Sequence, residues 1–188
     1  LVDTNIVNAK ILTEQGIFEG GIAIEDGKIR TIAKRAKLPR ASETVNAKKN
    51  LVLPGLIDVH VHLRDFQLAY KEDFYSGTCA AAAGGFTTVL DMPNTKPLTD
   101  SKLRLEEKME IARSKVITNV GFYTSFPKKM EEFEGIIKAG AVGFKIYLNH
   151  PITSLDVEND CVLFHAFRKA AEFKRNVAVH AEKRSIVE

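Results

Sequence analysis

The chain has 188 residues, of which 45% are hydrophobic and 27% charged, values that are ordinary for a soluble globular protein. Its formal net charge of +3 is too small to indicate nucleic-acid binding, and no apolar run approaches membrane-spanning length. There is no signal peptide, so we predict a cytoplasmic protein. Cys79 and Cys161 lack any CxxC spacing and are interpreted as reduced core thiols. Both ends of the sequence look cut.

Residues 1–50 differ in character from the rest. Short strand-like runs follow one another here at 6–7, 11–12, 21–24 and 28–32, with Asp26-Gly27 between the last two as a hairpin signal. A meander of this size is too small to be stable alone. We therefore predict that residues 1–50 are a portion of a small β-sandwich whose other strands lie elsewhere.

From residue 51 onward, strand-like and helix-like segments alternate. Thr99-Asp100-Ser101 offers an N-cap, Gly84-Gly85 a helix stop and Pro127 a helix start. Apolar runs and amphipathic stretches define the elements between these signals. The predicted strands are 56–63, 87–92, 119–126, 141–148 and 177–181, and the predicted helices are 72–83, 101–116, 127–137 and 158–174.

Five β/α repeats with near-continuous apolar strands indicate a parallel sheet. An open doubly wound sheet and a (β/α)8 barrel both fit this alternation. Polar residues sit at the C-terminal ends of four of the five predicted strands, namely His60 and His62, Asn94, Lys145 and His180. Such a gathering of polar groups at strand ends is typical of a barrel, and no GxGxxG follows the first strand. Because a complete barrel needs about 250 residues, we predict an α/β fold in which residues 51–188 form the first part of an incomplete TIM barrel.

The segment Asp58-Val59-His60-Val61-His62-Leu63-Arg64 ends the first of these strands. Since side chains alternate along a strand, Asp58, His60, His62 and Arg64 are predicted to share one face. Two imidazoles on one face can bind a single metal ion, and unpaired inward histidines would be costly in an apolar strand. Arg64, one step beyond, could hold an anionic substrate. A strand with incidental polar residues is the alternative.

Further polar residues follow on later strands. Lys145 lies in an apolar strand, where a buried lysine tends to lose its proton and the neutral amine can add CO2 to form a carbamate, a metal-bridging anion. A salt bridge or a Schiff base is the alternative. His180 is predicted to bind a second metal, although a lone strand histidine is more often structural. Asn94 is a good turn residue that could also donate to a carboxylate. His150 and His165 are interpreted as surface or core histidines.

In these motifs the stretch from Pro54 to Glu182 resembles the metal-dependent amidohydrolase superfamily and, within it, the dihydroorotases. The HxH alone is moderately specific, but followed by Leu-Arg and joined to Met-Pro-Asn-Thr it is strongly specific. The matching segments are 54–64, Lys71-Glu72-Asp73-Phe74, 82–88, Asp91-Met92-Pro93-Asn94-Thr95, Gly143-Phe144-Lys145 and Val179-His180-Ala181-Glu182.

The resemblance implies a site for two zinc ions. His60 and His62 would bind one zinc, and His180 would bind the other. Lys145, carboxylated, would bridge the two ions. The resemblance also implies a second histidine ligand and a catalytic aspartate, both expected beyond Glu188, so no catalytic residue is predicted within this chain and residues 1–188 alone are expected to be inactive.

The substrate implied by the resemblance carries a carboxylate, which Arg64 and Asn94 would hold. The reaction would be the reversible cyclisation of N-carbamoyl-L-aspartate to L-dihydroorotate in de novo pyrimidine (UMP) biosynthesis. The expected partner is this small-molecule substrate, with no nucleic acid and no membrane. A homo-oligomer, or an assembly with the missing C-terminal part, is also expected. One departure is the loop after the arginine, which is commonly Glu-Pro-Gly in the family and is Asp65-Phe66-Gln67 here.

Two alternatives stay open. Allantoinases and hydantoinases share the HxH, the lysine and the later histidine, although hydantoinase substrates need not carry a free carboxylate, so that Arg64 and Asn94 together favour dihydroorotase. The second alternative is a non-catalytic relative that serves as an assembly or scaffold protein.

Overall fold

The computed structural model describes residues 1–149, 152, 155–182 and 184–187. His150, one of the histidines considered above, lies outside these residues. The chain forms two compact units, Leu1–Pro54 and Gly55–Glu188. Within the described part of the chain, no helix is both long enough and apolar enough to cross a membrane.

The first unit is built on one five-stranded sheet. Its strands are β1 Val2–Thr13, β2 Gly16–Glu25, β3 Lys28–Ala33, β4 Ala41–Asn46 and β5 Leu51–Val52. The order is β3-β2-β1-β4, with β5 also paired to β1. The predicted hairpin at Asp26-Gly27 is confirmed: β2 and β3 are antiparallel, and both turn residues have positive φ, as a two-residue turn of this kind requires. The runs predicted as separate strands near the N-terminus are one long strand, β1.

The second unit alternates strands and helices along its whole described length. Its strands are β6 Leu56–Val61, β7 Phe86–Asp91, β8 Asn119–Ser125, β9 Gly143–Tyr147 and β10 Asn176–His180. Its helices are α1 Phe74–Ala83, α2 Lys102–Arg113, α3 Phe133–Lys138, α4 Asp160–Glu172 and α5 Arg184–Val187.

The helix starts follow local capping chemistry. The Ser101 side chain accepts from the backbone N–H of Arg104, so the predicted N-cap of α2 is confirmed. Asp73 caps α1 through a reciprocal pair of hydrogen bonds with Ser76. The helix predicted to open at Pro127 was wrong in its start, because a short 3-10 turn at Met130–Glu132 precedes α3.

The five strands of the second unit form one sheet in the order β10-β9-β8-β7-β6, and every neighbouring pair is parallel. Each strand therefore lies beside the next strand in the chain. The strand order does not reverse, as it does at the switch point of a doubly wound sheet. Because every neighbouring pair is parallel, the C-terminal ends of all five strands lie at the same edge of the sheet.

Aromatic side chains dominate the core of the second unit. Phe126, Phe133 and Phe144 are fully buried, and the rings of Phe133 and Phe144 stack with centroids 4.2 Å apart. The two cysteines do not join this core. Cys79 is half-buried and Cys161 is exposed, so their interpretation as core thiols was wrong. Cys161 lies in the first turn of α4, where the side chain faces solvent.

Candidate metal centre and carboxylate-binding site

The two histidines of the HxH segment lie side by side at the end of β6. Their ring centroids are 5.3 Å apart. The strict alternation predicted for this segment holds only in part, because the pairing of β6 with β7 shifts register between Asp58 and Val61 and the strand ends at Val61. His62 therefore follows the strand rather than lying within it, yet the two imidazoles remain neighbours.

His62 is oriented by Asn94, which lies just beyond β7. Its Nδ1 is 2.7 Å from Asn94 Oδ1. When Nδ1 donates this hydrogen bond, the lone pair of Nε2 is left for a metal, the arrangement that usually holds a ligating histidine. Burial lowers the pKa of His62, with the hydrogen bond to Asn94 opposing, so the neutral ring is favoured.

Arg64 also forms a hydrogen bond to Asn94, through the backbone of that residue rather than its side chain. Its Nη1 donates to the backbone oxygen of Asn94 at 3.3 Å. The backbone φ of Arg64 is +56°, so this residue is not in a strand and the predicted alternation does not reach it. The side-chain amide N–H groups of Asn94 and the guanidinium of Arg64 are thus neighbouring donors beside His62.

Lys145 is the central residue of β9, not a strand-end residue as predicted, and is only 2% exposed. Its Nζ lies 4.8 Å from the centre of the Tyr147 ring. Burial lowers the pKa of Lys145, and no opposing carboxylate contributes to that shift. Within the described part of the chain, no carboxylate forms the salt bridge with this amine that was weighed as an alternative from the sequence, and the neutral form of the amine is the one that can add CO2.

His180 ends β10, opposite Tyr147 in the register of the sheet. Its Nε2 lies 2.8 Å from Glu182 Oε2, which also accepts from Asn149 Nδ2 at 2.6 Å. This carboxylate fixes one ring nitrogen of His180, so the other nitrogen, Nδ1, is the one a metal would use. Sequence reasoning did not assign Glu182 a role, although it is part of the Val-His-Ala-Glu segment.

The curved sheet brings the ends of β9 and β10 within electrostatic reach of His60 at the end of β6. In a flat sheet, β6 and β10 would be separated by four strand spacings, roughly 19 Å. The pKa of His60 is lowered first by burial and then by the charge of Lys145, while Asp58 opposes and His180 adds a further lowering. Charges on β9 and β10 therefore act on a ring at the end of β6.

A buried ion pair between Asp91 and Lys108 lies next to the ends of β6 and β7. Asp91, the last residue of β7, accepts from the backbone N–H of Leu63 at 2.7 Å through Oδ1. Its Oδ2 lies 2.6 Å from Lys108 Nζ, and both side chains are fully buried. Lys108 also donates to the backbone oxygen of Met92 at 2.9 Å. The pair thus joins the residue after His62 to the strand end that leads to Asn94.

Among the residues that the structure describes, no three side chains of the His, Cys, Asp and Glu types form a group that could hold a metal. The candidate centre depends instead on the close pair His60 and His62, on Lys145, which only a carbamate would turn into an oxygen ligand, and on His180. His165 is exposed on α4 and takes no part.

Comparison with known proteins finds a matching protein family and similar full-length relatives. The family model described as Dihydro-orotase-like matches residues 49–188. A dihydroorotase of Methanothermobacter thermautotrophicus is 39% identical over 168 residues, which cover 88% of this chain and 37% of that protein. A dihydroorotase of Methanosarcina mazei is 36% identical over 185 residues, which cover 96% of this chain and 40% of that protein. The chain thus spans less than half the length of these relatives.

Solved structures give the same fold. An L-hydantoinase (dihydropyrimidinase) from Arthrobacter aurescens superimposes with a TM-score of 0.91 and 32% identity, covering 99% of this chain and 42% of that one. A D-hydantoinase superimposes with a TM-score of 0.81 and 29% identity, covering 97% of this chain and 41% of that one.

Proposed function

This chain belongs to the dihydroorotase-like family, and we propose that it carries the metal-binding and carboxylate-binding part of a dihydroorotase. The whole protein would interconvert L-dihydroorotate and N-carbamoyl-L-aspartate in de novo pyrimidine biosynthesis. The observation that supports this proposal is the hydrogen-bonded series His62–Asn94–Arg64, in which two candidate donors for a substrate carboxylate lie beside a candidate metal ligand.

The residues present fit a pair of zinc ions. His60 and His62 offer neutral ring nitrogens because burial lowers the pKa of both. Lys145, with a lowered pKa, is suited to carbamate formation, and His180 has one nitrogen held by Glu182 and one left for a metal. When bound, two zinc ions supply an activated water and polarise the amide carbonyl.

The chain's own residues would bind and orient the ring. Arg64 and the Asn94 amide would grip the substrate carboxylate through charge-assisted hydrogen bonds. This grip would hold the scissile amide toward the ends of β9 and β10. Hydrolysis breaks the ring amide C–N bond with one water: the carbonyl carbon gains the oxygen and becomes a carboxylate, the ring nitrogen gains one proton, and the other proton is released to solvent. The group that moves the proton to the ring nitrogen is proposed to be an aspartate outside these residues.

Several broader features are proposed with this function. The five parallel strands would be the first part of a (β/α)8 barrel, residues 51–188 of the protein, and residues 1–50 a portion of a β-sandwich. Residues 1–188 alone would be inactive, since a second histidine ligand and the catalytic aspartate are expected elsewhere. A homo-oligomeric, cytoplasmic enzyme remains a prediction.

A hydantoinase-type activity is the second candidate, favoured by the close structural likeness to the hydantoinases. The two candidates differ in their use of Arg64. In the full-length protein, Arg64→Met should raise KM for dihydroorotate by about ten- to a hundredfold, since a charged hydrogen bond is worth about 1.5–3 kcal/mol. Zinc content should stay the same, because Arg64 is not a proposed ligand.

The matched control is Arg113→Met, which removes an exposed guanidinium paired with Glu110 on α2. This variant should keep the wild-type KM. If Arg64→Met also kept it, or if the wild type opened neutral cyclic amides in preference to dihydroorotate, the dihydroorotase assignment would be wrong and the hydantoinase-type activity would replace it.

A further inference from the structure

The loop after the HxH segment has an unusual backbone. Arg64, Asp65 and Phe66 have φ values of +56°, +54° and +49°, three consecutive residues in a region that side chains other than glycine rarely adopt. The ψ of Asp65 is −159°, which puts it in a conformation that belongs almost entirely to glycine. Such a backbone persists only where the surrounding contacts enforce it.

The side chain of Asp65 supplies those contacts. Its carboxylate accepts from the backbone N–H of Phe66 at 2.7 Å and from that of Phe74, the first residue of α1, at 3.2 Å. Lys115 Nζ lies 2.8 Å from Asp65 Oδ2 and 3.1 Å from Oδ1. The backbone N–H of Asp65 in turn donates to the oxygen of Glu72 at 3.0 Å. The loop is therefore tied to the start of α1 and to the segment after α2.

Burial makes these contacts strong. The Asp65 side chain is 5% exposed, whereas that of Lys115 is 39% exposed. A carboxylate out of water needs partners for its charge and its lone pairs, and here two backbone N–H groups and one ammonium provide them. Without the carboxylate, nothing in the side chain would compensate for the left-handed backbone at Asp65 and its neighbours.

Arg64 is the residue whose direction this backbone sets. It precedes Asp65 directly and shares the left-handed run, and its guanidinium reaches Asn94, the residue that also bonds His62. We infer that Asp65 is a positioning residue that aims Arg64 at the substrate carboxylate, and that Lys115 is the counter-charge that holds Asp65 in place. This inference rests on the proposed function, because it needs Arg64 to bind that carboxylate.

The test uses the full-length protein and four variants. Asp65→Asn removes the charge and half of the acceptors, and Lys115→Met removes the counter-charge. Lys115→Arg keeps a cation in reach, and Asp73→Asn changes a neighbouring carboxylate that bonds Ser76 instead of the loop. For each, kcat and KM for dihydroorotate and the zinc content are measured.

Asp65→Asn and Lys115→Met should raise KM about tenfold while kcat stays within about twofold and zinc content is unchanged. Lys115→Arg and Asp73→Asn should keep the wild-type KM. An unchanged KM in the first two variants overturns the inference, as does a fall of kcat and zinc content at constant KM, which would give Asp65 a purely structural role. A wild-type protein that does not open dihydroorotate overturns the proposed function instead, whatever the variants do.

Discussion

Removing Lys108 tests how much the buried pair behind the site contributes to stability. Lys108→Met keeps a side chain of similar length but leaves Asp91 as an uncompensated charge, since both partners are fully buried in the wild type. Breaking a buried pair in this way costs about 3–5 kcal/mol. Burial already lowers the pKa of Lys108 and the Asp91 carboxylate opposes that shift, so the contact between them is what keeps the ammonium acceptable in the core.

The assay is urea unfolding of the full-length protein, with the free energy compared between wild type, Lys108→Met, Asp91→Asn and the double variant Lys108→Met/Asp91→Asn. The double variant should recover a large part of the loss, because the amide oxygen that Asp91→Asn introduces can still accept from Leu63 N–H without a buried charge. A loss below about 1 kcal/mol in Lys108→Met, or a double variant as unstable as the sum of its single changes, would refute the reasoning.

Two further outcomes are expected. Gly77→Ala in α1 should lower the free energy of unfolding, because a Cβ there would clash with Cδ2 of the buried Leu63. Such overpacking costs about 1–3 kcal/mol, which outweighs the gain of about 1 kcal/mol in helix propensity. Gly135→Ala is the matched control and should be stabilising, because a Cβ there would lie 3.9 Å from its nearest neighbour, Cδ of Lys102. Urea unfolding measures both variants, and a lower stability of Gly135→Ala or a higher stability of Gly77→Ala would contradict this packing. The zinc-free protein should lose stability as pH falls below 6.5, because the pKa values of His60 and His62 are lowered in the fold and the unfolded chain then binds more protons. The double alanine variant at these histidines should show a shallower loss, and an equal loss would argue against their burial.

The strands and helices of the second unit were predictable because their signals are local. Strand 119–126 was predicted and Asn119–Ser125 is observed; helix 158–174 was predicted and Asp160–Glu172 is observed. The parallel direction also followed, since apolar strands alternating with helices leave few other arrangements. What the pattern could not give is a departure from regular pairing, such as the register shift between Asp58 and Val61.

The candidate site was predictable in its residue types but not in its supports. His60 and His62 are conspicuous in an apolar run, and Lys145 is conspicuous for the same reason. The partners of Asp91 and Asp65 lie far along the chain, at Lys108 and Lys115. Both lysines look like ordinary charges of an amphipathic helix and the turn after it, because burial depends on tertiary packing that no local pattern encodes.

The winding of the second unit has a consequence for how the chain is made. Because each strand of the order β10-β9-β8-β7-β6 pairs with the strand synthesised just before it, most sheet contacts join segments that leave the ribosome close together in time. In the first unit, by contrast, β1 pairs with β4 and β5 and must wait until residues 41–52 have emerged. During synthesis, each new strand of the parallel sheet therefore finds its neighbour already present. The N-terminal sheet is complete only when β4 and β5, which come later in the chain, have been made.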